Sequence, residues 1–278
     1  MKKIFFLIFV ICIVHHAFAQ EKDLVKIADS ITAEGKTLFK SEWASWYGTD
    51  IFTEKCKARR AIAGGYISYD SGKGLVNVFF SKDAEPVVLS TISFGYYFDP
   101  NNFKLDTLNR KLTQQEKELF TIRKTAIAEL NKDTLFKKYN HTNLNPIPII
   151  ENNTKKVYVL TGPEVNGVVI FGNDYLIDFD RENNIIDKKT LHKNIIPLYT
   201  DKDSTGTTTF HVHLAETGDF ITATDICTLL LYEKFTKWSQ HFVRSKEYIS
   251  IWDCKKDQLL IMTVAAINRI QEDQKKRH

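Results

Sequence analysis

Short β-rich runs recur between residues 66 and 263, separated by turn residues and interrupted by only a few stretches of helical spacing. With no solenoid or propeller period, this mixture places the chain in the α+β class. Residues 66–69 and 75–80 flank Asp70-Ser71-Gly72-Lys73-Gly74, a hairpin loop by composition, and 87–98 reads as a third strand region. Leu24, Ile27, Ala28 and Ile31 give an amphipathic helix over about 21–39. The aromatic stretch 42–48 follows; it reads as a packing cluster rather than a sugar platform, because large aromatics dominate core burial. Thr113-Gln114-Gln115-Glu116 is a capping box opening a helix whose Leu119, Ile122, Ala126, Ile127 and Leu130 share one face. Residues 143–148, with two prolines, read as a connector.

The N-terminus carries its own instruction. Lys2 and Lys3 precede an unbroken apolar run, 4–14, and Ala17-Phe18-Ala19 forms a small-x-small site. This pattern is that of a secretory signal peptide over 1–19, and the run is too short for a permanent membrane span. The mature chain is expected to begin at Gln20 and to be exported, to a periplasm or the extracellular space. Without Lys2 and Lys3 there are 36 basic against 34 acidic residues, a net of +2. Nucleic acid, which prefers a concentrated basic face, is not an expected partner. Cys56, Cys227 and Cys254 remain, too few for a disulfide framework, although one pair of them is open.

After Asn153 the pattern changes. Strand-like runs at 157–160, 167–172, 175–179 and 207–214 lead to a helix over about 224–239 with Ile226, Leu229, Leu230, Phe235 and Trp238 as its main apolar residues. A strand pair at 248–252 and 258–263 and a helix at 265–273 follow. The organisation expected is a signal peptide, an α+β region over 20–150 without a recognisable chemical motif, and a second domain over 151–278.

The second part holds the chemistry. His211 and His213 are two apart on a strand, so both imidazoles project from one face. Asp225 comes twelve residues after His213, at the start of a helix, with Thr222 three residues before it. Two imidazoles and a carboxylate make a catalytic zinc shell that leaves a position for water. A general base that is not a ligand is also needed, and Glu164 is the candidate upstream. The same residues read more plainly as a polar strand face and a helix N-cap. Cys227 reads as a small buried hydrophobe, no motif pairs Cys56 with His141 or His192 as a thiol site, and Asp178, Asp180 and Glu182 read as a charged turn.

In order along the chain, Glu164-x-x-Gly167 before a strand, His211-x-His213 and Thr222-x-x-Asp225 opening a helix resemble the JAMM (MPN+) metalloprotease motif. The match departs from it in Thr222 for Ser, Val212 between the histidines, and eight rather than seven residues between His213 and Thr222. The resemblance implies a JAMM/MPN-like mixed sheet flanked by helices. It also implies one zinc on His211, His213 and Asp225, Glu164 as base, and Thr222 steadying an oxyanion. The activity implied is hydrolysis of peptide or isopeptide bonds in a peptide or protein substrate. The alternative is a non-catalytic secreted binding protein with a degenerate JAMM-like fold.

Overall fold

In the computed structural model residues 2–200 and 208–277 are described, with side chains from residue 23 onward. Thr207 of the expected strand and the side chains of the signal-peptide pattern therefore lie outside the described residues. The fold is mixed α+β with several sheets.

Helix α1 (Lys2–Lys55) is followed by a 3₁₀ turn (Lys57–Ile62) and an antiparallel meander, β1 (Ala63–Asp70), β2 (Leu75–Ser81), β3 (Val87–Phe94) and β4 (Phe103–Asp106), with β5 (Arg110–Lys111) also on β3. Helix α2 (Gln114–Leu130) comes next. The strands β6 (Thr142–Glu151), β7 (Thr154–Pro163), β9 (Tyr175–Phe179) and β10 (Ile185–Thr190) form a second antiparallel sheet in the order β10-β9-β7-β6. The strands β8 (Val168–Gly172) and β11 (Ile195–Tyr199) make a separate ribbon. The chain closes with β12 (Thr208–Val212), α3 (Ala223–Thr236), β13 (Gln240–Arg244), β14 (Tyr248–Asp253), β15 (Gln258–Thr263) and α4 (Val264–Arg277). Strand β12 pairs parallel with β13, α3 being the crossover between them, and β13, β14 and β15 are antiparallel.

Helix α1 runs far past the expected end near residue 39. From Ser41 to Ser45 every residue is buried, so this stretch lies inside the protein and shows little amphipathic contrast in sequence. The aromatic residues do pack: Trp43 meets Phe94 edge-on, ring centroids 5.1 Å apart, and Phe52 stacks on Phe79 at 3.8 Å. The capping box at Thr113 and Glu116 forms, and α2 buries Leu119, Ile122, Ala126 and Leu130 but leaves Ile127 exposed. On α3, Phe235 is likewise exposed, whereas Ile226, Leu229 and Leu230 are buried.

The expected connector at 143–148 is a strand. Pro146 and Pro148 sit two apart on β6, the edge of its sheet, opposite Val159 and Val157 of β7. An edge strand tolerates prolines because the side on which N–H groups are missing needs no partner. The boundary at 150/151 falls in the β6–β7 hairpin, and one buried cluster joins Leu38 and Trp43 of α1 and Phe79 of β2 to Tyr158, Phe171, Ile226 and Trp252. Among the described residues no helix is long and apolar enough to cross a membrane, and Cys56, Cys227 and Cys254 are all free.

Candidate metal centre

Four side chains from three places in the chain meet in the interior. His211 lies on β12 and His213 just beyond it, where its backbone N–H donates to the Arg244 carbonyl at 2.9 Å. Asp225 stands in the first turn of α3. His192 lies between β10 and β11, in a segment fixed by the Asp174 carbonyl, which accepts from the N–H groups of Leu191 and His192 at 2.8 and 3.3 Å. Gly172 allows this approach: its φ is +82°, and a Cβ there would lie 2.3 Å from the Asn194 carbonyl oxygen.

The side-chain exposures are 3% for His192, 2% for His211 and 0% for His213 and Asp225. One donor atom of each lies within 4.8 Å of the other three. His213 Nε2 is 3.0 Å from His192 Nε2 and 3.0 Å from His211 Nε2. Asp225 Oδ2 is 3.5, 3.8 and 3.6 Å from Nε2 of His192, His211 and His213. A tetrahedron with vertices ~2.0–2.1 Å from its centre has edges of roughly 3.3–3.4 Å, so these separations fit four ligands around one small cation. Three ring nitrogens converge with one another, and His192 Nδ1, His213 Nδ1 and Asp225 Oδ1 are buried without a hydrogen-bond partner among the described residues. The donor set fits a metal ion.

The surrounding groups orient the ligands. His211 Nδ1 lies 2.9 Å from His241 Nε2, and His241 Nδ1 lies 2.7 Å from Thr209 Oγ1. With Nε2 of His211 on a metal, Nδ1 carries the proton and donates to His241, which in turn donates to Thr209. His241 is fully buried and stacks on Phe171 with 4.9 Å between centroids. Behind His192, the Asp174 carboxylate is 3.5 Å from Nδ1 and accepts from the Thr161 N–H at 3.1 Å.

The electrostatics divide the rings. Burial pushes His211 down to about 4 and, with the His211 ring beside it, His241 down to about 3, so both are neutral at pH 7. Burial also opposes a charge on His192, but Asp225 and Asp174 outweigh it and raise the ring to about 10, so a metal must displace a proton to bind there. Burial likewise opposes ionisation of Asp225, yet His192 and His211 hold it well below the usual carboxylate range.

Thr222 and Asp225 form the N-cap and the ligand at once. Asp225 Oδ2 accepts from the Thr222 N–H and hydroxyl, each at 2.9 Å, while the Asp225 N–H donates to Thr222 Oγ1 at 3.1 Å. The plainer reading of Thr-x-x-Asp as a helix cap thus coexists with the metal reading. The Thr222 hydroxyl is committed to Asp225.

Glu164 is not brought to this group. It is exposed, in the turn between β7 and β8, with its N–H on the His141 carbonyl at 2.9 Å. The centre lies beyond Gly172, at the other end of β8, and the strand between spans ~13 Å at ~3.3 Å per residue. His192 is the residue that sequence reasoning missed as a ligand. It lies 21 positions before His213 with no motif around it, and only the fold brings it in.

Comparison with protein-family models, with curated proteins and with solved structures finds no match.

Proposed function

We propose that the chain is an exported, non-catalytic binding protein whose C-terminal half is clamped by one zinc ion on His192, His211, His213 and Asp225. The observation that carries this reading is the fourth ligand. A catalytic zinc keeps a position open for water, whereas structural zinc sites are closed by four protein ligands. Here His192 takes the place that the JAMM resemblance leaves for water, and all four side chains are sealed from solvent. The position of Glu164 at the far end of β8 supports the same reading. Imidazole nitrogen with one carboxylate in a tetrahedral arrangement suits zinc among the common divalent ions. Export rests on the signal-peptide pattern of residues 1–19. The test is thermal unfolding of the purified protein with and without a chelator: a structural ion makes the folded state strongly chelator-sensitive.

The hydrolytic reading retains one favourable observation, the ordered His211-x-His213 at a strand end and Thr222-x-x-Asp225 at a helix start. It requires peptide or isopeptide cleavage by the zinc-loaded protein, abolished in Glu164→Gln.

A further inference from the structure

A concavity among the described residues is lined by none of the four candidate ligands and has a polar interior. It has a volume of about 1060 Å³, at the upper end of the ~300–1,000 Å³ usual for small-molecule sites, and forms where α1, α2, α3 and strands β6 to β8 meet. One face of α1 lines it at positions 42, 45, 46, 49 and 50, and every one of these except Trp46 is polar or charged. Of these, Glu42 and Ser45 are buried, with the Ser45 hydroxyl bonded to the Ser41 carbonyl and the Ser68 hydroxyl, whereas Asp50 is exposed at the mouth.

The groups inside are held in place. Glu42 is only 4% exposed and its Oε2 accepts from Asn145 Nδ2; Asn145 Oδ1 in turn accepts from the Tyr66 hydroxyl at 3.4 Å. Arg123 donates from Nε to the Pro146 carbonyl at 3.1 Å and lies over the Tyr66 ring, 4.8 Å from its centroid. Trp46 and Tyr232 meet edge-on at 5.2 Å on another wall.

We infer that this cavity binds a neutral saccharide. Its charged side chains are of both signs, Asp50 and Glu42 with Arg123 and Lys138, so a ligand of one sign meets a like charge as well as an opposite one. Its remaining polar lining consists of neutral hydroxyl and amide side chains, which offer donors and acceptors together, as sugar hydroxyls require. The rings of Trp46 and Tyr232 supply apolar surface for the C–H side of a sugar ring.

The test is calorimetric titration of the exported chain with maltotriose, cellotriose, mannotriose and triacetylchitotriose, with trialanine as a zwitterionic probe. At least one trisaccharide should bind with a Kd tighter than ~1 mM and change the tryptophan emission. Trp46→Ala should weaken that binding at least about tenfold, and Asn143→Ala, at an exposed position of the same wall, should weaken it without loss of fold. Zinc content should be the same in all three proteins, which separates this inference from the metal reading. It is overturned if no trisaccharide binds at about 10 mM, if trialanine alone binds, or if both variants bind as well as wild type.

Discussion

Gly35 of α1 sits directly against Ile226 of α3: a Cβ added at Gly35 would lie 2.5 Å from the Ile226 Cβ and 3.1 Å from the Ala223 carbonyl oxygen. Ile226 follows the candidate ligand Asp225, so the long helix meets the element that carries it through a contact that only glycine permits. Gly→Ala in a helix interior normally stabilises by ~1 kcal/mol. Here the close approach reverses the sign. Gly35→Ala should destabilise by about 1–3 kcal/mol and loosen metal retention, as measured by denaturant unfolding and zinc content. A more stable variant with full zinc would show that α1 and α3 are not so tightly packed.

Removing the metal should cost more than any single surface change. An ion present at ~1,000 times its Kd stabilises by about 4 kcal/mol, and for a chain of this size each kcal/mol moves Tm by roughly 2–4 °C. Chelator should therefore lower Tm by ~8–16 °C, and zinc alone among added divalent ions should restore it fully. Scanning calorimetry in both conditions checks this.

Asp174 should act on the metal through His192. Asp174→Asn keeps the shape but removes the charge 3.5 Å from Nδ1. Zinc affinity should fall by about 10–100-fold, measured by competition with a chromogenic chelator, with little change in secondary structure. Undiminished affinity would mean that the Asp174 carboxylate does not support His192.

Much of this was legible in sequence because local rules and the fold agree. His211 stands on a strand with His213 just past its end, and Thr222 and Asp225 stand at a helix start. The N-terminal hairpin and the α2 cap also follow local chemistry. What could not be read depends on distant contacts. Residues 40–55 are helical because the core surrounds them, β6 is a strand because its prolines face an open edge, and β13 forms by pairing with β12 some thirty residues earlier. His192 reaches the group of His211, His213 and Asp225 only through the turn at Gly172 and the Asp174 carbonyl.

The buried carboxyl of Glu42 gives a pH dependence of unusual sign. Burial raises it to about 7, against the opposing pull of Arg123 and Asn145. In the unfolded chain it ionises near 4.5, so between about 4.5 and 7 the folded state holds a proton that the unfolded state has released. Stability must then fall as pH rises through this window, by up to about 3 kcal/mol, and stay reduced above it. Glu42→Gln should remove that slope and be relatively more stable at pH 8 than at pH 4.5, as denaturant unfolding at the two pH values would reveal.

The fourth ligand is most directly tested by zinc stoichiometry in wild type and His192→Ala, each incubated with excess zinc, dialysed and analysed by plasma mass spectrometry. The closed four-ligand centre requires one zinc per chain in wild type and little or none in His192→Ala, as in His213→Ala. Wild type without zinc, or His192→Ala retaining one zinc per chain while His213→Ala loses it, would contradict it; the second result would restore the three-ligand site with an open position for water.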